Sequence, residues 1–173
     1  QAVVLDKTGT LTQGTPVVTD IITDGLSEGE ILRLAASTEL GSEHPLGEAI
    51  VESARERGLA LEEVSDFEAL PGHGVQARVN GSLVALGNLA FMEDQGFELN
   101  GLKAKAEELS TQGKTPMFVA VDQRVNGIIA VADTLRPGAR DAVQAMHRLG
   151  LEVIMLTGDN RRTAEAIAQE AGI

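Results

Sequence analysis

Apolar positions recur with two different periods along the chain, and the changes of period separate strands from helices. The short apolar run at residues 2–5 and the segment 152–156, apolar from Val153 onward, have the form of buried strands. Helical spacing instead places Ile31, Leu34, Ala35 and Thr38 on one face, and Leu46, Ile50 and Ala54 on another. The first of these helices opens with Ser27-Glu28-Gly29-Glu30, the form of a capping box, and Gly41 and Ser42 end it. Pro45 suits the first turn of the second, which closes at Gly58.

Two hairpins are the clearest local signals in the middle. Residues 75–79 and 82–86 flank Asn80-Gly81, the preferred dipeptide of a two-residue type I′ hairpin turn. Residues 117–121 and 124–131 flank a second short turn, Asp122-Gln123, and residues 17–22 predict a further strand after the break at Gly14-Thr15-Pro16. Between the hairpins, residues 89–94 and 102–112 read as helices, the second ending at Gly113. A helix over 137–149, with Pro at its start and Gly150 after its end, leads into the strand at 152–156, and another helix follows from Arg161. The flanks are thus strand-then-helix in the α/β manner, whereas the middle is antiparallel α+β. The layout predicts an α/β core, residues 1–13 and 133–173, interrupted by an inserted domain over 14–132. The chain crosses between them twice, and paired crossings make a hinge.

The first strand opens into Asp6-Lys7-Thr8-Gly9-Thr10-Leu11-Thr12. A carboxylate at the end of a buried parallel strand stands where open α/β sheets do their chemistry. It can attack a phosphoryl group in line if a metal ion neutralises its charge and nearby amides and hydroxyls hold the transferring oxygens. Thr8, Gly9 and Thr10 offer such donors within one turn. Asp-Lys-Thr-Gly is also ordinary turn chemistry, but that alone does not require the whole heptad.

This heptad resembles the phosphorylation motif of the P-type ATPases, and Thr157-Gly158-Asp159-Asn160 resembles the second loop of their phosphorylation domain. The resemblance implies a partial haloacid-dehalogenase-like parallel sheet carrying an inserted α+β domain with an antiparallel sheet. It implies Asp6 as the phosphorylated nucleophile, with Lys7, Thr8, Thr157, Gly158 and Asp159 completing the catalytic set. Asp159 would lie toward the nucleotide sugar. Mg2+ would be held by Asp6 and the Thr8 backbone carbonyl. A helix N-terminus after a strand is itself an anion site, so Thr157 and Gly158 suit a phosphate. Asp133 and Arg136 resemble the acidic and basic pair that the family places beside its hinge; helix capping by Asp133 or Thr134 is the alternative.

Glu39, Ser42-Glu43-His44-Pro45, Gly72-His73-Gly74-Val75 and Gly87-Asn88 together resemble the nucleotide-binding pattern of the heavy-metal subgroup, with forms closer to copper than to zinc pumps. The nucleotide-binding residues would be Glu39, His44, Gly72, Gly74 and Asn88, with ATP and Mg2+ as cofactors. With four Phe and neither Trp nor Tyr in the chain, the adenine must be held without the usual aromatic platform. His44, biased to an extended backbone by Pro45, can present its ring to the base. Glu39 can accept from the exocyclic amine. Gly72 and Gly74 would let a ligand approach their backbone, and Asn88 would add a polar contact at the rim. Read singly, these are a helix entry, a solvated acid, a loop and a helix cap. His73 and His147 read as structural.

Composition narrows the partners. A net charge of −12 argues against nucleic acid or an anionic bilayer, so an anionic nucleotide must rely on local amides and a divalent metal. The absence of cysteine removes disulfides and thiolate metal sites, as expected in a reducing compartment. No apolar stretch reaches the roughly 18 residues of a membrane span. The setting that the resemblance implies is the cytoplasmic portion of an integral membrane protein, partnered by ATP or ADP and by the rest of its own polypeptide. Two other functions compete: a soluble phosphatase of the haloacid dehalogenase superfamily, and a noncatalytic nucleotide-binding module. Such phosphatases usually carry a second Asp two residues after the nucleophile. Here that position is Thr8, which cannot exchange a proton as a carboxyl does near neutral pH, so an acyl phosphate would persist. The family's later phosphate-binding Lys and acidic loop fall after Ile173, so nucleotide binding with little turnover is expected.

Overall fold

The computed structural model describes residues 1–159 and 161–173, and for Arg162 the backbone alone. Two sheets organise it. A parallel pair joins β1 (Ala2–Asp6) to β8 (Glu152–Leu156), and a six-stranded antiparallel sheet has the order β2-β7-β6-β5-β4-β3. Its strands are β2 (Thr12–Thr23), β3 (Val64–Leu70), β4 (Gly74–Val79), β5 (Ser82–Gly87), β6 (Thr115–Val121) and β7 (Arg124–Leu135). Helices α1 (Glu28–Glu39) and α2 (Pro45–Glu56) cover one face, where Ile31, Leu32 and Ile50 pack on Val84, Leu86, Val119 and Ile129. Helices α3 (Leu89–Asp94) and α4 (Leu102–Thr111) cover the other, where Phe91, Met92 and Leu109 meet Ala85, Phe118 and Ile128. Consecutive residues of β5, β6 and β7 therefore feed opposite cores, which is why their central stretches, 83–86, 117–121 and 128–132, are apolar without alternation.

Local chemistry fixes several boundaries. The Ser27 hydroxyl accepts from the Glu30 amide while the Glu30 carboxylate accepts from the Ser27 N–H, the capping box expected for α1. Asn80 and Gly81 both have positive φ, 51° and 87°, as a type I′ turn requires. Helix α5 (Ala139–Arg148) begins two residues after Pro137, behind Gly138 at φ 82°, so Pro137 precedes the helix instead of opening it. Strand β3 is an addition to the sequence reading, and β2 begins at Thr12, well before residue 17. The Gly14-Thr15-Pro16 segment is absorbed in β2 as a register shift between the Thr12–Leu135 and Pro16–Asp133 pairs. Proline is tolerated there because β2 is an edge strand.

The crossing between the two sheets is consequently a ribbon of paired strands. Around β1 and β8, Leu11, Val143 and Val153 form a small core with Leu5 and Met155. The opposite face of that pair exposes Val4, Ile154 and Leu156. Helix α6 (Arg161–Ala171) follows β8. No described helix is long and apolar enough to cross a membrane.

Candidate functional site: a strand-end turn and a cavity

The β1–β8 register pairs Asp6 with Leu156, so the turn after β1 and the loop after β8 leave the sheet side by side. The turn has type II angles, Thr8 at φ −76°, ψ 120° and Gly9 at φ 76°, ψ −6°, and the Thr12 N–H closes it on the Lys7 carbonyl. Asp6 is exposed at the strand end, and its side chain caps nothing in the turn. Lys7 is buried instead: its ammonium lies 3.0 Å from Asp159 Oδ2 and 3.8 Å from Asp133 Oδ2. The Asp159 carboxylate is thus turned to Lys7, a contact the sequence did not disclose. The Thr157 hydroxyl accepts from the Asp159 N–H at 3.1 Å, and the Cβ direction of Gly158 is open. Asn160 lies outside the described residues.

Asp133 caps no helix. It sits in β7 and receives the Thr12 hydroxyl at 2.5 Å and the Gly14 N–H at 2.9 Å. Thr12 is fully buried and its hydroxyl also meets the Lys7 carbonyl at 3.0 Å. Arg136 Nε donates to the carbonyls of Gly9 and Thr12, both at 3.1 Å. Asp133 and Arg136 therefore clamp the turn after β1 to the second crossing. In sequence Thr12, the last residue of the heptad, offers only a hydroxyl; its burial is what makes that hydroxyl structural.

Mg2+ takes about six oxygen ligands, often one or two carboxylates with waters and substrate phosphates. Among the described residues no three or more His, Asp or Glu gather into a ready cage. An exposed Asp6 two residues before Thr8, at the open end of a parallel sheet, is the sparse donor set that suits an ion bound together with phosphate.

A second locus lies in the six-stranded part. Glu39, His44, Gly72, Gly74 and Asn88 all line one cavity of about 310 Å³, at the lower end of the roughly 300–1,000 Å³ typical of ligand pockets. A larger, more open groove between β2 and α2 shares Glu39 and Ser42 with it but reaches none of His44, Gly72, Gly74 or Asn88. Glu39 is no solvated acid: it is 3% exposed, and its Oε2 is buried without a hydrogen-bond partner. Burial raises its carboxyl above the ordinary value, opposed by the Ser42 hydroxyl and by the charge of His44.

His44 caps α2, its Nδ1 accepting the Leu46 N–H at 3.2 Å, and it also lines the cavity. Asn88 Nδ2 donates to the Gly72 carbonyl and its Oδ1 accepts the Phe91 N–H, both at 2.9 Å. Asn88 therefore braces the Gly72 loop as well as capping α3. Gly72 has φ 77° with open space where a Cβ would project, as close ligand approach requires. At Gly74 that space belongs to the protein, with Gly87 Cα at 2.7 Å and Phe91 Cδ1 at 3.0 Å, so tight β4–β5 packing explains this glycine. His147 bonds the Gly172 carbonyl at 3.1 Å, in keeping with a structural role.

Comparison with known proteins matches residues 1–173 to the haloacid dehalogenase-like hydrolase family model. A copper-transporting P-type ATPase of Rhizobium leguminosarum bv. viciae is 52% identical over 98% of the chain, which covers 20% of that protein. A copper-exporting P-type ATPase of Bacillus subtilis (strain 168) is 49% identical over 99% of the chain and 21% of its own length. The chain thus spans about a fifth of these relatives. Among solved structures, a zinc-transporting PIB-type ATPase in an E2.Pi state is 41% identical with a TM-score of 0.91, covering 99% of this chain and 28% of that one. The N-domain of a copper-transporting P-type ATPase matches 68% of this chain and 98% of its own, with 34% identity and a TM-score of 0.58.

Proposed function

Because the chain belongs to the haloacid dehalogenase-like hydrolase family, we propose that it is the ATP-binding and aspartyl-phosphorylation region of a P-type ATPase that moves a heavy-metal cation, Cu+, across a membrane. The observation that carries this reading is the convergence of Glu39, His44, Gly72, Gly74 and Asn88 on one cavity, in a chain that also presents Asp6 at the end of a parallel strand. Copper is favoured over zinc because the copper-transporting relatives are about half identical, against 41% for the zinc-transporting structure.

Residues 14–132 form the nucleotide-binding domain in this reading, and 1–13 with 133–173 are two pieces of the phosphorylation domain. The nearly complete match to an isolated N-domain supports that division. The exposed Val4, Ile154 and Leu156 suit burial against the remainder of the same polypeptide.

In the cavity, Glu39 accepts from the adenine amine, His44 offers its ring to the base, and the bare backbone of Gly72 admits the sugar. The paired β2 and β7 ribbon brings the γ-phosphate to Asp6. A carboxylate oxygen of Asp6 attacks the γ-phosphorus, the bond to the β–γ bridging oxygen breaks, and ADP leaves with that electron pair. Thr157 and the amides near Gly158 donate to the transferring oxygens. Mg2+, held by Asp6 and the Thr8 carbonyl, supplies charge neutralisation when bound. Thr8, where a phosphatase usually has its second Asp, leaves the acyl phosphate long-lived.

Titration of ATP into the isotopically labelled chain tests the nucleotide site. Amide shifts are expected to concentrate at Glu39, His44, Gly72 and Asn88, and their absence from these residues at saturating ATP would contradict the reading.

A further inference from the structure

Gly47 stands in the first turn of α2 and is buried, although glycine inside a helix is less favourable than alanine. Its φ is not in the left-handed region, so the backbone does not demand glycine there. What does is Glu39: a Cβ at position 47 would overlap the Glu39 carboxylate, with Cδ at 2.8 Å, and would stand 3.3 Å from the Ser42 Oγ. Real Cβ atoms essentially never approach so closely, and here the obstructed group is no free end of a surface side chain. It is a carboxylate 3% exposed, with one oxygen unpartnered, at the wall of the cavity. The Ser42 N–H bonds the Glu39 carbonyl at 2.9 Å, and Ser42 Oγ accepts the His44 N–H at 3.2 Å, so the backbone of the α1–α2 connection is tied down and a Cβ at position 47 would push the carboxylate itself out of its present place at the cavity wall.

We propose that Gly47 is a positioning residue for base recognition: by lacking a side chain it gives the Glu39 carboxylate its place in the cavity, and through it sets the preference for adenine over guanine. This rests on the nucleotide-binding reading above. The chemistry is that of an acceptor aimed at the six position of a purine. Adenine presents an amine there, which a carboxylate accepts from; guanine presents a carbonyl oxygen, which it repels. A site built to pair one hydrogen-bonding group discriminates strongly against a ligand that cannot pair with it.

The test is calorimetric titration of the 173-residue chain and its variants with ATP and with GTP, together with thermal melts. The parent should prefer ATP. Gly47→Ala should weaken ATP roughly tenfold while changing GTP less than about twofold, so the preference collapses. In the Gly47→Ala background Glu39→Asp, one methylene shorter, should recover part of the lost ATP affinity, whereas in the parent the same change only weakens it. The same reversal is expected in the melting temperature, so a Gly47→Ala chain too unstable to titrate is still decided by whether Glu39→Asp restores its melt. Equal weakening of ATP and GTP, unchanged affinity for both, or no reversal by Glu39→Asp would overturn the inference while leaving the nucleotide site standing. A parent that binds neither nucleotide would overturn the reading on which it rests, and the inference with it.

Discussion

Lys7 and Asp159 meet at 3.0 Å although they lie at opposite ends of the chain, and the Lys7 side chain is only 10% exposed. Asp133 approaches the same ammonium at 3.8 Å. One buried cation therefore holds together the turn after β1, the loop after β8 and the second crossing. Removing one partner of a buried pair leaves the others desolvated and uncompensated, which is costly, while the 30% exposure of Asp159 moderates the loss. Lys7→Met should destabilise the chain by roughly 1–3 kcal/mol in urea unfolding. Combined with Asp159→Asn it should show a coupling of about 0.5 kcal/mol or more, and strict additivity would mean the contact is energetically idle.

Glu39 links stability to recognition with opposite signs. Burial raises its carboxyl above the ordinary 4.5, so its contribution to stability is fully present below that value and is lost as pH rises through the raised folded value. Glu39→Gln removes the buried charge. Near pH 8 it should therefore melt above the parent, with the gap closing as pH falls toward 4.5, while its ATP affinity drops. A variant less stable than the parent at every pH would show that the carboxylate is better satisfied than its unpartnered Oε2 indicates.

His44 carries two roles that a single substitution separates by magnitude. Loss of the Nδ1 cap on Leu46 should cost His44→Ala roughly 0.5–1 kcal/mol of stability. Loss of the ring from the cavity should weaken ATP by about 1–3 kcal/mol. His73 is exposed and bonded to the Pro71 carbonyl at 3.0 Å, so His73→Ala should be milder for the nucleotide. Parental ATP affinity in His44→Ala, with the stability loss present, would leave His44 only its cap.

Much of this architecture was legible because its signals are local. Asn80-Gly81 sets a hairpin through two positive φ angles, and Ser27 with Glu30 closes a cap within one turn. Strand β3 was not legible: it is an exposed edge whose register slips between Ser65 and Glu68, with Asp66 at φ 54°, so no alternation survives to be read. The start of β2 was hidden by Gly14-Thr15-Pro16, which reads as a break unless the strand is known to be an edge. At the site, the residue types were visible but their partners were not. Nothing in the sequence says that Asp159 faces Lys7, that Gly74 lets β4 pack closely on β5, or that Gly47 makes room for Glu39. The last had one faint signal, a glycine in a helical first turn that has no local use for it.

The most direct measurement is acid-stable labelling from γ-labelled ATP in the longer polypeptide that carries this chain, comparing Asp6 with Asp6→Asn. An amide cannot accept the phosphoryl group, whereas the cavity around Glu39 and His44 does not include Asp6. The Asn variant should lose the label completely and still bind ATP with parental affinity. Undiminished label on the variant would place the phosphoacceptor at another residue and contradict the central claim.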